Sequence, residues 1–191
     1  MNKPKMITKE QAEQLMSRLE KRDRQIFQMS IETGLRISDV LKLKARQLSK
    51  MMTVQETKTG KFRIVELSDE LFRELEPKKY DHYGSWNQIK ILADSEKWLF
   101  RSLRSANKPL HRSTYHRKLK RAATALKIDV SAHSARKLYA VELFRATKSI
   151  FDVQKALNHK YVNTTAKYLD IDLEATLNQA ATDALGDSSQ S

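Results

Sequence analysis

The chain has 191 residues, with 36 Lys and Arg against 23 Asp and Glu, a formal net charge of +13, and no cysteine. The length suits one well-packed domain, the missing cysteines exclude disulfides, thiolate chemistry and Cys-ligated zinc, and no apolar run approaches the ~20 residues a membrane span requires. After Lys167 there is no Lys or Arg but five acids, which leaves residues 1–167 with 36 basic against 18 acidic side chains. A field of that sign favours a polyanion over a neutral partner.

The N-terminal stretch MNKPKMITKEQ is basic but has no apolar segment after it, so it is not a secretory signal, and a cytoplasmic protein is expected. Four Gly and three Pro predict a mostly helical chain with few sharp turns. Thr8 with Gln11 three residues on reads as a capping box that opens a helix, and apolar residues then recur toward Ile31. In TGLRISDVLKLK a glycine interrupts that helix, and Ser38 and Asp39 begin another that buries Val40, Leu41 and Leu43. The period then changes. Val54 on one side and Phe62, Ile64 and Val65 on the other flank Thr59-Gly60, a β-hairpin signal. Residues 77–97 carry no decisive pattern beyond short structure around Trp86 to Leu92. RSTYHRKLKRAATALK is a basic amphipathic helix, SAHSARKLYAVELFRA and SIFDVQKALNHKYV are two more, and NTTAKYLD is a short one. The acidic LEATLNQAATDAL closes the chain with an apolar face of Leu173, Leu177, Ala180, Ala181, Ala184 and Leu185.

The second half concentrates chemistry. His133 and Arg136 stand three apart, on one helix face. His159 follows an apolar helix, and Tyr168 lies nine residues further on. Upstream, Arg36 sits just past a glycine and Lys58 near a hairpin tip. Two guanidiniums, two imidazoles, an ammonium and a phenol, with no acidic cluster, suit attack by a tyrosine on a phosphodiester. Arginines bind the non-bridging oxygens, histidines donate to the phosphate or take the nucleophile's proton, and a lysine protonates the leaving oxygen. With fixed cations in those places, no metal and no cofactor are expected.

These boxes resemble the tyrosine recombinase (phage integrase) family. TGLRISDVLKLK (33–44) is similar to its first arginine box, TKTGKFRIVEL (57–67) to the hairpin carrying its lysine, AHSARKLYA (132–140) to its His-x-x-Arg box, and LNHKYVNTTAKYLD (157–170) to the box ending in its nucleophile. Asn158 stands where the family commonly has Gly, and Glu66 where Pro is frequent. The resemblance implies a mainly α fold with a small antiparallel β-sheet. It also implies a catalytic set of Arg36, Lys58, His133, Arg136, His159 and the nucleophile Tyr168. Lys61 is the rival for the lysine's place and Tyr161 for the tyrosine's; the His-to-Tyr interval of the family favours Tyr168. Asp39, one turn past Arg36, is expected to pair with it and orient it.

Lys61, Arg63, Arg112, Tyr115, Arg117, Lys118 and Arg121 are the expected DNA contacts. The implied activity is site-specific recombination of double-stranded DNA through a 3′-phosphotyrosyl link, on a homotetramer. The alternatives are a type IB topoisomerase-like relaxing enzyme and a DNA-binding regulator without catalysis. Residues 1–171 are expected to form the catalytic domain, without the family's N-terminal core-binding domain, as a fragment of a longer integrase or a naturally minimal member. Residues 172–191 form an acidic tail that packs in cis or docks on a neighbouring protomer.

Overall fold

A computed structural model describes residues 6–76, 96–102, 108–173 and 176. The chain divides into two compact units, Pro4–Tyr139 and Ala140–Ser191 with Met1–Lys3. Most of the undecided stretch 77–97, and the apolar face expected beyond Leu173, lie outside the described residues.

The first unit opens with α1 (Lys9–Ser17), whose Thr8 hydroxyl accepts from the Gln11 amide at 3.2 Å while the Gln11 side chain accepts from the Thr8 amide at 3.0 Å. Two N–H groups that the first turn would otherwise orphan are satisfied reciprocally. α2 (Lys21–Thr33) is central, touching α1 and, further along the chain, three helices and a strand. It buries Ile26, Phe27, Met29, Ser30 and Thr33. It ends at Gly34 in the left-handed region, φ 62°. α3 (Ile37–Val40) follows at once, and Val40, Leu41 and Leu43 are buried as their spacing implied. Beyond a 3₁₀ turn (Ala45–Gln47) come β1 (Met51–Gln55) and β2 (Phe62–Glu66), antiparallel, with Met51 opposite Glu66 and Gln55 opposite Phe62.

Met52, Val54 and Val65 face inward, whereas Met51, Phe62 and Ile64 are exposed. The two apolar residues that mark β2 most strongly in the sequence therefore lie on its outer face. α4 (Asp69–Leu75) is capped by Ser68. α5 (Arg112–Ala125) is the basic helix, and it buries Tyr115, Leu119 and Ala123 at helical spacing. With Leu15, Ile26, Phe27 and Phe100 these form the unit's core, each fully buried large side chain contributing roughly 1.5–3 kcal/mol.

α6 (Ser134–Thr147) begins in the first unit and continues into the second. There α7 (Ile150–Ala156) packs on α8 (Val162–Leu169), burying Val153, Leu157, Ala166 and Leu169. The result is the expected architecture, mainly helical with one small antiparallel sheet. Among the described residues no helix is long and apolar enough to cross a membrane.

Candidate active site

The first unit gathers three arginines around the end of α2. Helix C-termini leave carbonyls without intrahelical partners, and their partial negative charge attracts cations. Here the Gly34 carbonyl accepts from Arg136 Nη1 at 2.6 Å and from Arg63 Nη1 at 3.5 Å, and the Thr33 carbonyl accepts from Arg63 Nη2 at 2.5 Å. Gly34 is needed twice over. Its φ is left-handed, and a β-carbon there would sit 2.3 Å from the Tyr139 ring that covers it. Arg36, two residues on, occupies the N-cap of α3 with extended backbone, so its side chain leaves the helix end and meets the same cluster.

On the other side of the arginines lies Glu56, whose side chain is fully buried. Its Oε2 is 2.8 Å from Arg36 Nη1 and accepts from the Thr59 hydroxyl at 2.9 Å; Oε1 is 3.6 Å from Arg63 Nη1 and 3.7 Å from Arg136 Nη1. Burial pushes this carboxyl's pKa up, but Arg36, Thr59 and Arg136 together outweigh it and hold it below the usual carboxylate range. Sequence reasoning missed Glu56. The signal was there in the period of two: Met52, Val54 and Glu56 share the inward face of β1 and its extension.

Lys58 lies in the hairpin turn, exposed, between Glu56, which donates its N–H to the Lys61 carbonyl at 2.9 Å, and Gly60, which donates to the Glu56 carbonyl at 2.8 Å. Asp39 does not pair with Arg36. Its Oδ1 accepts from the Thr57 amide at 3.0 Å, so it ties down the turn instead. The expected pairing fails because Glu56 occupies the guanidinium, while the Asp39 carboxylate is spent on a backbone amide.

His133 sits immediately before α6 and is half-buried. Burial pushes its pKa down, and the positive charges of Arg112, Arg136, Arg36 and Lys58 push it the same way, which favours the neutral imidazole. Arg112 Nη2 stands 3.4 Å from its Nε2; since a guanidinium only donates, Nε2 is the acceptor.

Arg112 also lines a groove of about 670 Å³ with Arg22, Lys42, Lys108, Arg117 and Lys118. Of the expected DNA contacts, Lys61, Arg112, Arg117 and Arg121 are exposed. Three others are otherwise placed. Tyr115 is 1% exposed and packs in the core beside Leu119, where burial and the nearby Asp23 raise its pKa, so it is a packing residue. The Arg63 side chain is buried against the end of α2. Lys118 is held by Glu20 at 2.6 Å and Asp23 at 2.9 Å.

The second unit carries the remaining pair. α7 ends in a left-handed Asn158, φ 53°, with the Asn158 amide donating to the Lys155 carbonyl at 3.1 Å and the His159 amide to the Gln154 carbonyl at 3.0 Å. This double closure is the usual helix stop, and Asn is the residue after Gly that tolerates it best. Asn158 thus does the work of the expected glycine. His159 Nδ1 is 3.0 Å from the Thr165 hydroxyl, and its ring meets Tyr168 edge-on, centroids 5.7 Å apart at 81°. Thr165 and Tyr168 lie one turn apart on α8, which lets one helix face hold the imidazole and present the phenol. Tyr161, before α8, is 60% exposed and lies over the Lys160 ammonium rather than His159.

Comparison with known proteins gives the same frame. The "Probable integrase/recombinase YoeC" of Bacillus subtilis (strain 168) is 29% identical over 170 residues, covering 87% of each chain. The crystal structure of XerA recombinase superposes with a TM-score of 0.69 at 22% identity, over 96% of this chain and 65% of that one. A lambda integrase tetramer bound to a Holliday junction gives 0.62 at 19% identity, over 90% of this chain and 49% of that one. This chain therefore spans most of the Bacillus relative but only half to two thirds of the two structures. The phage integrase family model matches residues 5–174, nearly the whole sequence, and the chain belongs to that family.

Proposed function

We propose that this protein is a site-specific recombinase that cuts and rejoins double-stranded DNA through Tyr168. The observation that carries this reading is the convergence of Arg36 and Arg136 around the end of α2, with His133 near enough for both charges to lower its pKa. A phosphodiester in attack carries more negative charge than in its ground state, and guanidiniums fixed beforehand stabilise that increment without reorganising. Arg36, Arg136 and His159 hold the non-bridging oxygens. The Tyr168 oxygen bonds to phosphorus as the bond to the 5′ oxygen breaks. His133 accepts the phenolic proton, and Lys58 supplies one to the departing 5′ oxygen. The 3′-phosphotyrosyl link conserves the bond, so a 5′-hydroxyl from a second duplex reverses the step and frees the tyrosine. Lys58 is favoured over Lys61 because its charge acts on His133.

The exposed Arg112, Arg117 and Arg121 and the cationic groove suit DNA backbone contact. A tetramer on DNA is the assembly that recombination requires, and the lambda integrase tetramer is a precedent for its order; the acidic segment after Tyr168 suits packing in cis or docking on a neighbouring protomer. The chemistry needs no metal.

The test is adduct trapping in EDTA on nicked duplexes tiled from the DNA that surrounds the gene. The short cleaved strand diffuses away and peptide mass spectrometry locates the link. An adduct on Tyr168, lost in Tyr168→Phe and kept in Tyr161→Phe, is expected. An adduct on Tyr161, or strict dependence on a divalent ion, would sink the assignment.

A further inference from the structure

We infer that Glu56 is a positioning residue, one buried carboxylate that sets the geometry of Arg36 and Arg136 for the phosphate. The inference rests on the proposed function for its catalytic consequence, but its geometry stands alone. Three guanidiniums this close repel one another, and unpaired buried charge is costly. Among the described residues Glu56 is the carboxylate that reaches all three, at 2.8 Å to Arg36, 3.6 Å to Arg63 and 3.7 Å to Arg136.

The contact distances matter as much as the charge. A carboxylate in bidentate contact with an arginine would consume the donors that a phosphate must use. Here the contacts to Arg63 and Arg136 are longer than hydrogen bonds, and the close contact, 2.8 Å from Oε2, is to Arg36 through a single Nη. Glu56 neutralises and aims the cluster without capturing it. It is itself held by the Thr59 hydroxyl and by its own backbone bonds to Lys61 and Gly60, so the arginine geometry is locked to the turn that carries Lys58.

The test uses the full chain with ¹⁵N-labelled arginine. In the free protein, Arg36, Arg63 and Arg136 should give slowly exchanging Nε–H signals that shift and broaden together in Glu56→Gln. On a cleavable nicked duplex, Glu56→Gln should lose at least tenfold in single-turnover cleavage while DNA affinity stays within about threefold. A substrate whose leaving oxygen is replaced by sulfur, which needs no proton, should not restore the rate, because the defect lies at the arginines. Glu56→Asp covers the case in which Glu56→Gln does not fold: it keeps the charge but withdraws it by one methylene, and should melt near the wild type while cleaving more slowly.

Unchanged arginine signals, full cleavage by Glu56→Asp, or a parallel fall of melting point, affinity and cleavage would overturn the inference, the last by reducing Glu56 to a fold support. If the wild type forms no adduct while its arginine signals still depend on Glu56, the recombinase reading fails and the positioning role survives.

Discussion

The Asp39 carboxylate accepts the backbone N–H of Thr57 at 3.0 Å, linking the helix that follows Arg36 to the residue before Lys58. A hydrogen bond to a charged acceptor contributes about 1.5–3 kcal/mol, enough to decide where an exposed turn spends its time. Asp39→Ala should therefore slow single-turnover cleavage by tenfold or more with little change in DNA affinity. The sulfur leaving group should restore much of that rate, since the lysine's proton is then unnecessary. Asp39→Asn, which keeps an acceptor oxygen, should be milder.

His133 predicts a pH dependence of known sign. Its folded pKa lies below the ordinary 6.5, so the unfolded chain takes up this proton first as the pH falls. The stability it contributes is complete above pH 6.5 and is lost as the pH drops from there through the lower folded value. Thermal melts between pH 7.5 and 5 should fall more steeply for the wild type than for His133→Gln. Glu56, also depressed, acts in a lower window, beginning near its ordinary 4.5, so the two contributions separate on the pH axis.

Gly34→Ala meets two obstacles, a left-handed backbone and the Tyr139 ring. Left-handed strain of about 1–2 kcal/mol and overpacking of about 1–3 kcal/mol combine to roughly 3 kcal/mol of lost stability, measurable by urea titration. Gly60 has the same sign of φ but open space around it, so Gly60→Ala should cost only the backbone share.

Basic residues should divide by burial. Replacing Arg112, Arg117 or Arg121 by Ala should weaken DNA binding and lower the salt slope by about one unit for each phosphate that is no longer neutralised. Arg63→Ala should instead lower the melting point, because its partners are the carbonyls of Thr33 and Gly34. A salt titration beside a thermal melt separates the two classes.

Much of the fold is legible in the sequence. Thr8 and Gln11 cap as their spacing implies, the hairpin forms where the period changes, and the two arginine boxes bring Arg36 and Arg136 to one cluster. What escapes sequence reading depends on which face a charged residue takes. Glu56 and Arg63 are polar letters in or beside strands, and polar letters there usually mean solvent; here they take the inward face while Phe62 and Ile64 take the outward one. Tyr115 misleads because the cations around it draw more notice than its own spacing with Leu119 and Ala123. Asp39 is the nearest acid to Arg36 along the chain, yet the carboxylate that wins lies 20 residues away; the period of two turns it inward, but its meeting with Arg36 shows only in the tertiary structure.

The socket for Arg136 and Arg63 is made of main-chain carbonyls at the end of α2, which no side-chain replacement can delete. Alanine scanning would pass over it. What can destroy it is a change of helix length: one residue inserted in α2 turns its terminal carbonyls by about 100°, away from both guanidiniums. The count of residues between Lys21 and Gly34 is thus itself a constraint on the chemistry, and single-residue insertions or deletions in α2 should be far less tolerated than substitutions on its exposed face.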